Sequence, residues 1–277
     1  MNNKTVGIII SSYNQGQFLE TTILSALENK KNANVKIAVV DGGSTDNSTD
    51  IIKKYCNNLD YWCSEYDGGQ SAGLNKGIQA LCHCDYYMCL NSDDVYENDH
   101  SVSDILAFVI ENNFQVAYGL SRFIDIKGKS IGEFPTEEYN PIRLADNCYL
   151  SFPSVIFSHE AYIKCGGFNE SLQMCLDYEY WIRLSKLYDF GYFNKYISAA
   201  RIHGESKTST MHELHLNEGI CILQKYYGDV PMHWVVDLVL CRQKISSVPD
   251  IVLKVLSIIL IPYKGKVVKD CLAKNKY

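Results

Sequence analysis

The sequence predicts an α/β fold: a mixed, mostly parallel sheet flanked by helices, with a helical tail at its carboxyl end. Three observations predict it. Short apolar runs alternate with segments of helical period through the first half. A polar cluster follows each apolar run. The charge pattern changes abruptly near residue 242. At 277 residues the chain can build a full core, as one large domain or as a domain with an appendage.

"TVGIIISSYN" (5–14) reads as a buried strand, and "QFLETTILSALEN" carries Phe18, Leu19, Ile23, Leu24 and Leu27 at helical spacing. "VKIAVVD" (35–41) is a second strand and runs into "DGGSTDNSTD"; "IIKKYC" reads as helix. "YWCSE" (61–65) is a third, short strand, followed by "YDGGQSAGLNKGI", a glycine-rich turn that opens a helix. "DYYMCLN" is the fourth. Strands separated by helices of this length imply parallel pairing with helices on both faces. The second half is less regular: a hairpin over 115–134 turning at 127–129, then a strand, a short helix and a glycine stop at 166–167. "LDYEYWIRLSKL" is a helix, "FGYFNKYISAARIHG" a strand ending near His203, and a further helix spans about 211–227. The division expected is a catalytic domain over 1–227 and a basic amphipathic extension over 228–277.

Composition excludes several classes. A hydrophobic fraction of 47% with 21% charged residues excludes disorder. The net charge of −6 argues against nucleic acid as a partner. Residues 242–277 hold eight Lys or Arg against Asp250 and Asp270, a net +6 that leaves −12 for the first 241. Eleven cysteines in a chain of this length, with only a five-residue apolar run at 6–10, point to reduced thiols and a cytoplasmic setting. Cys82, His83, Cys84 and Cys89 have no usual zinc spacing, and buried free thiols are the expectation. No G-x-G-x-x-G follows the first strand, and Walker A and G-x-S-x-G motifs are absent.

In sheets of this kind ligands bind beyond the carboxyl ends of the strands. Residues 11–14, 41–46, 67–71 and 91–94 all fall there, and four polar clusters in succession read as a site rather than as turns. Asp93 and Asp94 offer hard oxygens suited to Mg²⁺ or Mn²⁺, whose usual companion is a diphosphate.

The stretches "VGIIISSYNQGQFLETTILSAL", "VVDGGSTDNST", "YDGGQSAGLNKGI", "LNSDD" and "PSVIFSHEAYIKCGGFNESLQMCLDYEYWIRL" resemble, in order and spacing, those of inverting family 2 glycosyltransferases of bacterial polysaccharide synthesis, over about residues 5–210. The resemblance implies a GT-A fold, a nucleotide-sugar donor with UDP as the default, and a glycan or lipid-linked glycan acceptor, as in capsule or O-antigen assembly. It implies nucleotide-binding roles for Ser11, Tyr13, Asn14, Asp41, Asn91 and Ser92, with Asp41 accepting a base N–H. "NSDD" takes the place of the metal-binding D-x-D, with Asn91 where an Asp often stands. Asp93 is then the metal ligand for Mn²⁺ or Mg²⁺, Asp94 a supporting or acceptor-side group, and His203 a completing ligand. Asp177 corresponds to the catalytic base.

Residue chemistry adds to this. Gln70, Ser71, Asn75 and Lys76 open a helix whose N–H groups favour phosphate, with Ser71 as helix cap the simpler reading. Asp177 shares a helix face with Tyr180, Trp181 and Leu184; Trp181 is placed beside the acceptor. Glu179 is expected to form a solvated i,i+4 pair with Arg183. "VPDIVLKVLSIILIPYKGKVVKD" (248–270) is too short in apolar length to span a bilayer. It is expected either to lie on the inner face of the plasma membrane through its lysines or to pack on the domain. A nucleotidylyltransferase would carry a Gly- and Arg-rich loop after the first strand, which "SSYNQGQF" lacks. A degenerate, non-catalytic nucleotide-binding scaffold is the alternative function.

Overall fold

The computed structural model describes residues 4–204, 206–245 and 249–274; Lys276 of the basic tail lies outside them. In chain order the first elements are β1 (Thr5–Ser12), α1 (Gly16–Glu28), β2 (Asn34–Asp41), α2 (Ser48–Tyr55), β3 (Tyr61–Ser64) and α3 (Gln70–Ala80). There follow β4 (Tyr86–Asn91), β5 (Val95–Tyr96), α4 (Ser101–Glu111), β6 (Val116–Ile124), β7 (Ser130–Glu133), β8 (Val155–Ser158) and α5 (His159–Cys165). The last are α6 (Leu176–Ser185), β9 (Phe190–Arg201), α7 (Lys207–Thr210), α8 (His212–Tyr227), α9 (Met232–Arg242), α10 (Asp250–Ile259) and α11 (Lys264–Lys274).

The sheet order is β3-β2-β1-β4-β8-β6-β9-β5, with β7 added to β6. β1 to β4 pair in parallel, as alternation with helices requires, while β8 runs antiparallel to both β4 and β6. Val6, Ile8 and Ile10 alternate to one face of β1, where they join Leu19 and Ile23 of α1 and Val102 and Ile105 of α4 in a buried core. The predicted hairpin exists as β6–β7, antiparallel with a register shift at residues 123–124.

Packing divides the chain into two compact units. One comprises Met1–Asn140, Tyr149–Gln173 and Arg183–Ile202; the other comprises Pro141–Cys148, Met174–Ile182 and His203–Tyr277. The division differs from a cut at residue 227. α9 and α11 pack on α8, and α10 packs on α9, so the helix expected to close the catalytic domain belongs with the tail. Val268 and Cys271, three residues apart, are the buried positions of α11, and the Cys271 thiol donates to Asn217 Oδ1 at 3.3 Å. All eleven cysteines are thiols outside any disulfide. Cys84 and Cys89 are buried, and burial pushes the Cys84 thiol up to about 11.

Candidate active site

Register alone assembles the first wall of the site. Ser12 lies beside Asp41, and Ser11 beside Asn91, at the carboxyl ends of β1, β2 and β4. A buried carboxylate must be paired, and Asp41, fully buried, accepts from Ser44 N (2.9 Å), Ser44 Oγ (2.5 Å) and Ser64 Oγ (2.7 Å). It therefore shapes the loop after β2, and direct recognition of a base N–H by Asp41 would require Ser44 to move. Asn14 takes a left-handed conformation at φ 50°; its N–H donates to Ser44 Oγ, and its Oδ1 accepts from Thr45 N, both at 2.8 Å. The Tyr13 ring between these anchors is 60% exposed, a flat surface on which a base can stack.

Gly42 keeps this cleft open. A Cβ there would meet Asp67 Oδ1 at 3.2 Å and the Tyr13 ring at 3.5 Å. Asp67, partly exposed, accepts from Gly69 N at 2.9 Å. It is the carboxylate that reaches the Tyr13 side of the cleft. The local signal for it, "YDGGQ", was visible in the sequence, but only the fold of the loop brings Asp67 to Gly42.

The acidic turn at 91–94 is held from three elements. Asn91 Oδ1 accepts from Gln70 Nε2 of α3 (2.8 Å), and its Nδ2 donates to Asp94 Oδ2 (2.9 Å). The Thr22 hydroxyl of α1 lies within 2.9 Å of the carbonyls of both Ser92 and Asp94. From β9, Arg201 N donates to Asp94 Oδ1, its Nε to the Asp93 carbonyl and its Nη1 to the Asp125 carbonyl, each at 2.9 Å. The Arg201 guanidinium stands 4.9 Å from the Phe18 ring. Asp94 is buried; that burial, and then the charge of Asp93, hold its carboxyl well above the usual carboxylate range. It supports the turn, while Asp93 keeps partial exposure. Arg201 is the residue that sequence reasoning missed.

Among the described residues no group of three His, Cys, Asp or Glu gathers to hold a metal. Mg²⁺ and Mn²⁺ need no such cage: a carboxylate or two and the substrate's own phosphate oxygens are their usual donors. Asp93, on a rigid turn next to a buried acid, fits an ion that arrives with a diphosphate.

Two expectations for α3 change. Ser71 does not cap the helix: Gly69, at φ 132°, is the cap residue, and Ser71 is buried with its hydroxyl 3.4 Å from the Leu172 carbonyl. Asn75 has no capacity left for a nucleotide. Its Nδ2 donates to Phe168 O and Glu170 Oε1 at 2.9 Å, and its Oδ1 accepts from Phe168 N and Tyr162 OH. It ties the loop after α5 to the helix. Lys76 pairs with Glu65 at 2.7 Å.

Asp177 and His203 belong to the second unit. Asp177 Oδ1 accepts from Tyr178 N at 2.8 Å. The residue is partly exposed, yet its apolar surroundings remove enough water that burial raises its pKa to about 6. Just before it, Met174 N and Cys175 N both donate to the fully buried Glu218 at 2.9 Å, fixing the entry to α6. Glu179 is corrected: it is not on a solvated face but 2% exposed, and accepts from Tyr226 OH at 2.5 Å. Arg183 turns to the carbonyls of Cys165 (2.8 Å) and Gly167 (2.7 Å). Trp181 is buried and packs in the interior, offering no surface to an acceptor. His203 is also buried, directly after β9.

Fold and carboxyl-edge site together define an α/β domain of the GT-A-like class, carrying a C-terminal helical extension. The family model for glycosyl transferase family 2 matches residues 7–164, and the chain belongs to that family. An uncharacterized glycosyltransferase of Rickettsia conorii is 30% identical over 217 residues, covering 72% of this chain and 34% of the relative; the chain thus spans about a third of that protein. Staphylococcus aureus TarS 1–349, solved with UDP-GlcNAc, superposes with a TM-score of 0.60 at 16% identity over 85% of this chain and 71% of that one. The mannosyltransferase PcManGT of Pyrobaculum calidifontis, solved with GDP-Man and Mn²⁺, gives 0.62 at 11% identity over 98% and 87%. At such identities the structural likeness speaks to the fold alone.

Proposed function

We propose that the enzyme is a metal-dependent, inverting glycosyltransferase. It moves a UDP-linked hexose or N-acetylhexosamine to a hydroxyl of a glycan or lipid-linked glycan, in capsule- or O-antigen-type polysaccharide synthesis, peripherally at the inner face of the plasma membrane. The observation that carries the reading is the 91–94 turn, which presents Asp93 beside buried Asp94 from a frame of α1, α3 and β9. The UDP donor is proposed by analogy with TarS, solved with UDP-GlcNAc, and the metal by analogy with PcManGT, solved with GDP-Man and Mn²⁺.

Tyr13 stacks on the base, with Asp67 and the Asn14–Ser44 pair bordering it. Asn91 hydrogen-bonds a ribose hydroxyl, flanked by Ser11 and Ser92, and the backbone N–H groups at Gln70 and Ser71 face the phosphates, with Lys76 nearby. Asp93 would hold the divalent ion, which would supply Lewis-acid chemistry toward the diphosphate leaving group; His203 is kept as a candidate ligand by resemblance. Asp177 takes the proton of the acceptor hydroxyl as that oxygen attacks the anomeric carbon opposite the leaving group; one displacement inverts the centre. With a pKa of about 6, Asp177 is mostly ionised at pH 7 and is a stronger base than an ordinary aspartate. UDP release from UDP-GlcNAc and UDP-glucose, followed with product anomers by NMR, tests the reading. Asp177→Asn should lower turnover by about 10²–10⁴-fold while nucleotide binding persists. Unchanged turnover removes Asp177 from the role, and retention of configuration removes the single displacement.

A further inference from the structure

The helical extension contains a surface feature that glycosyl transfer does not use. Ile258, Ile259, Ile261 and Tyr263 are 69%, 56%, 60% and 57% exposed. They lie within six residues at the corner where α10 ends and α11 begins. Among the described residues no other six-residue stretch holds four large apolar side chains more than half exposed. Isolated exposed apolar residues are ordinary; a contiguous patch marks a contact surface.

The corner is not a loose end. α11 packs through Val268 and Cys271, and Lys264 Nζ pairs with Asp229 at 2.5 Å, so the apolar corner is held on a folded helical unit. Lys254 lies one turn before Ile258 on the same face of α10, and Lys266 and Lys269 are exposed on α11. Aliphatic tips bordered by lysines, on a segment of net charge +6 in an otherwise acidic chain, complement an anionic bilayer: isoleucines enter the acyl boundary and the ammonium groups meet head groups. Among the described residues no helix is long and apolar enough to cross a membrane. We infer that the α10–α11 corner, residues 258–263, is an interfacial anchor that inserts Ile258, Ile259, Ile261 and Tyr263 into an anionic lipid surface. This names the surface behind the peripheral placement proposed above and rests on that placement, but not on the choice of donor or acceptor.

Co-sedimentation of the whole chain with phosphatidylglycerol–phosphatidylcholine vesicles tests it, with pure phosphatidylcholine vesicles as the comparison. The chain should bind the anionic vesicles, with each lysine contributing about fivefold to the partition coefficient. Binding should weaken with salt. Ile258→Asp with Ile261→Asp should lower the partition coefficient on the order of a hundredfold, while UDP binding and thermal midpoint stay unchanged because both side chains are exposed. Absence of vesicle binding, or equal binding by the double variant, overturns the anchor. So does a dimer in light scattering that the double variant dissolves, since that assigns the corner to a second copy. UDP binding is read separately, so a failed anchor is distinguishable from a failed glycosyltransferase reading.

Discussion

Asp177 combines two properties that pull in opposite directions. Its apolar surroundings make it a better base by raising its pKa to about 6, and the same surroundings oppose its ionisation in the folded state. Below about pH 4 the carboxyl is neutral whether the chain is folded or not, and nothing is lost. As pH rises from about 4 through about 6, the unfolded chain ionises freely, the folded one does so against burial, and stability falls. Asp177→Asn should therefore raise stability above pH 7 by about 3 kcal/mol and have little effect below pH 4. Denaturant titrations at the two pH values check this. Turnover of the wild-type enzyme should rise with pH to a plateau, with a midpoint near 6. A variant no more stable at pH 7.5 than the wild type would mean that Asp177 is not desolvated. At the same scale, local pattern misled at Glu179 and Asn75. An i,i+4 match looks solvated from sequence, and an amide at a helix opening looks available, because neither pattern reveals what packs against it.

At the level of elements, the acidic turn is a product of distant strands and helices. Thr22, Gln70 and Arg201 come from α1, α3 and β9, and all converge on 91–94. Arg201→Ala should remove three side-chain anchors at once: two carbonyl hydrogen bonds, and the positive charge beside Asp94. Breaking a buried charged network typically costs about 3–5 kcal/mol. We expect a loss of that order in unfolding experiments, with Arg201→Lys intermediate because it keeps charge but not the planar fork. Equal stability of Arg201→Ala and the wild type would show that the turn stands without its clamp. The strands were legible because apolar runs ending in polar clusters are a local signal. The clamp was not, because hydrogen bonds spanning 107 residues leave no trace in spacing.

For the whole molecule, the fold and family were legible from motifs spread over about residues 5–210, and the packing of α8 was not. Helix α8 reads as one more amphipathic helix, and only its packing with α9 and α11 assigns it to the second unit. In the tail, α11 packs inward through Val268 and Cys271, while the corner before it stays exposed. Candidate groups from four loops lie at the carboxyl edge of the parallel strands. In the function proposed above, this edge binds a nucleoside diphosphate through a metal on Asp93. Calorimetric titration of the wild type and Asp93→Ala with UDP, with GDP as a comparison, each with and without Mn²⁺, tests it most directly. UDP binding should tighten at least about tenfold with Mn²⁺, a gain of about 1.4 kcal/mol, and lose that gain in Asp93→Ala. UDP binding of equal strength with and without Mn²⁺, or a full Mn²⁺ effect in Asp93→Ala, would contradict it.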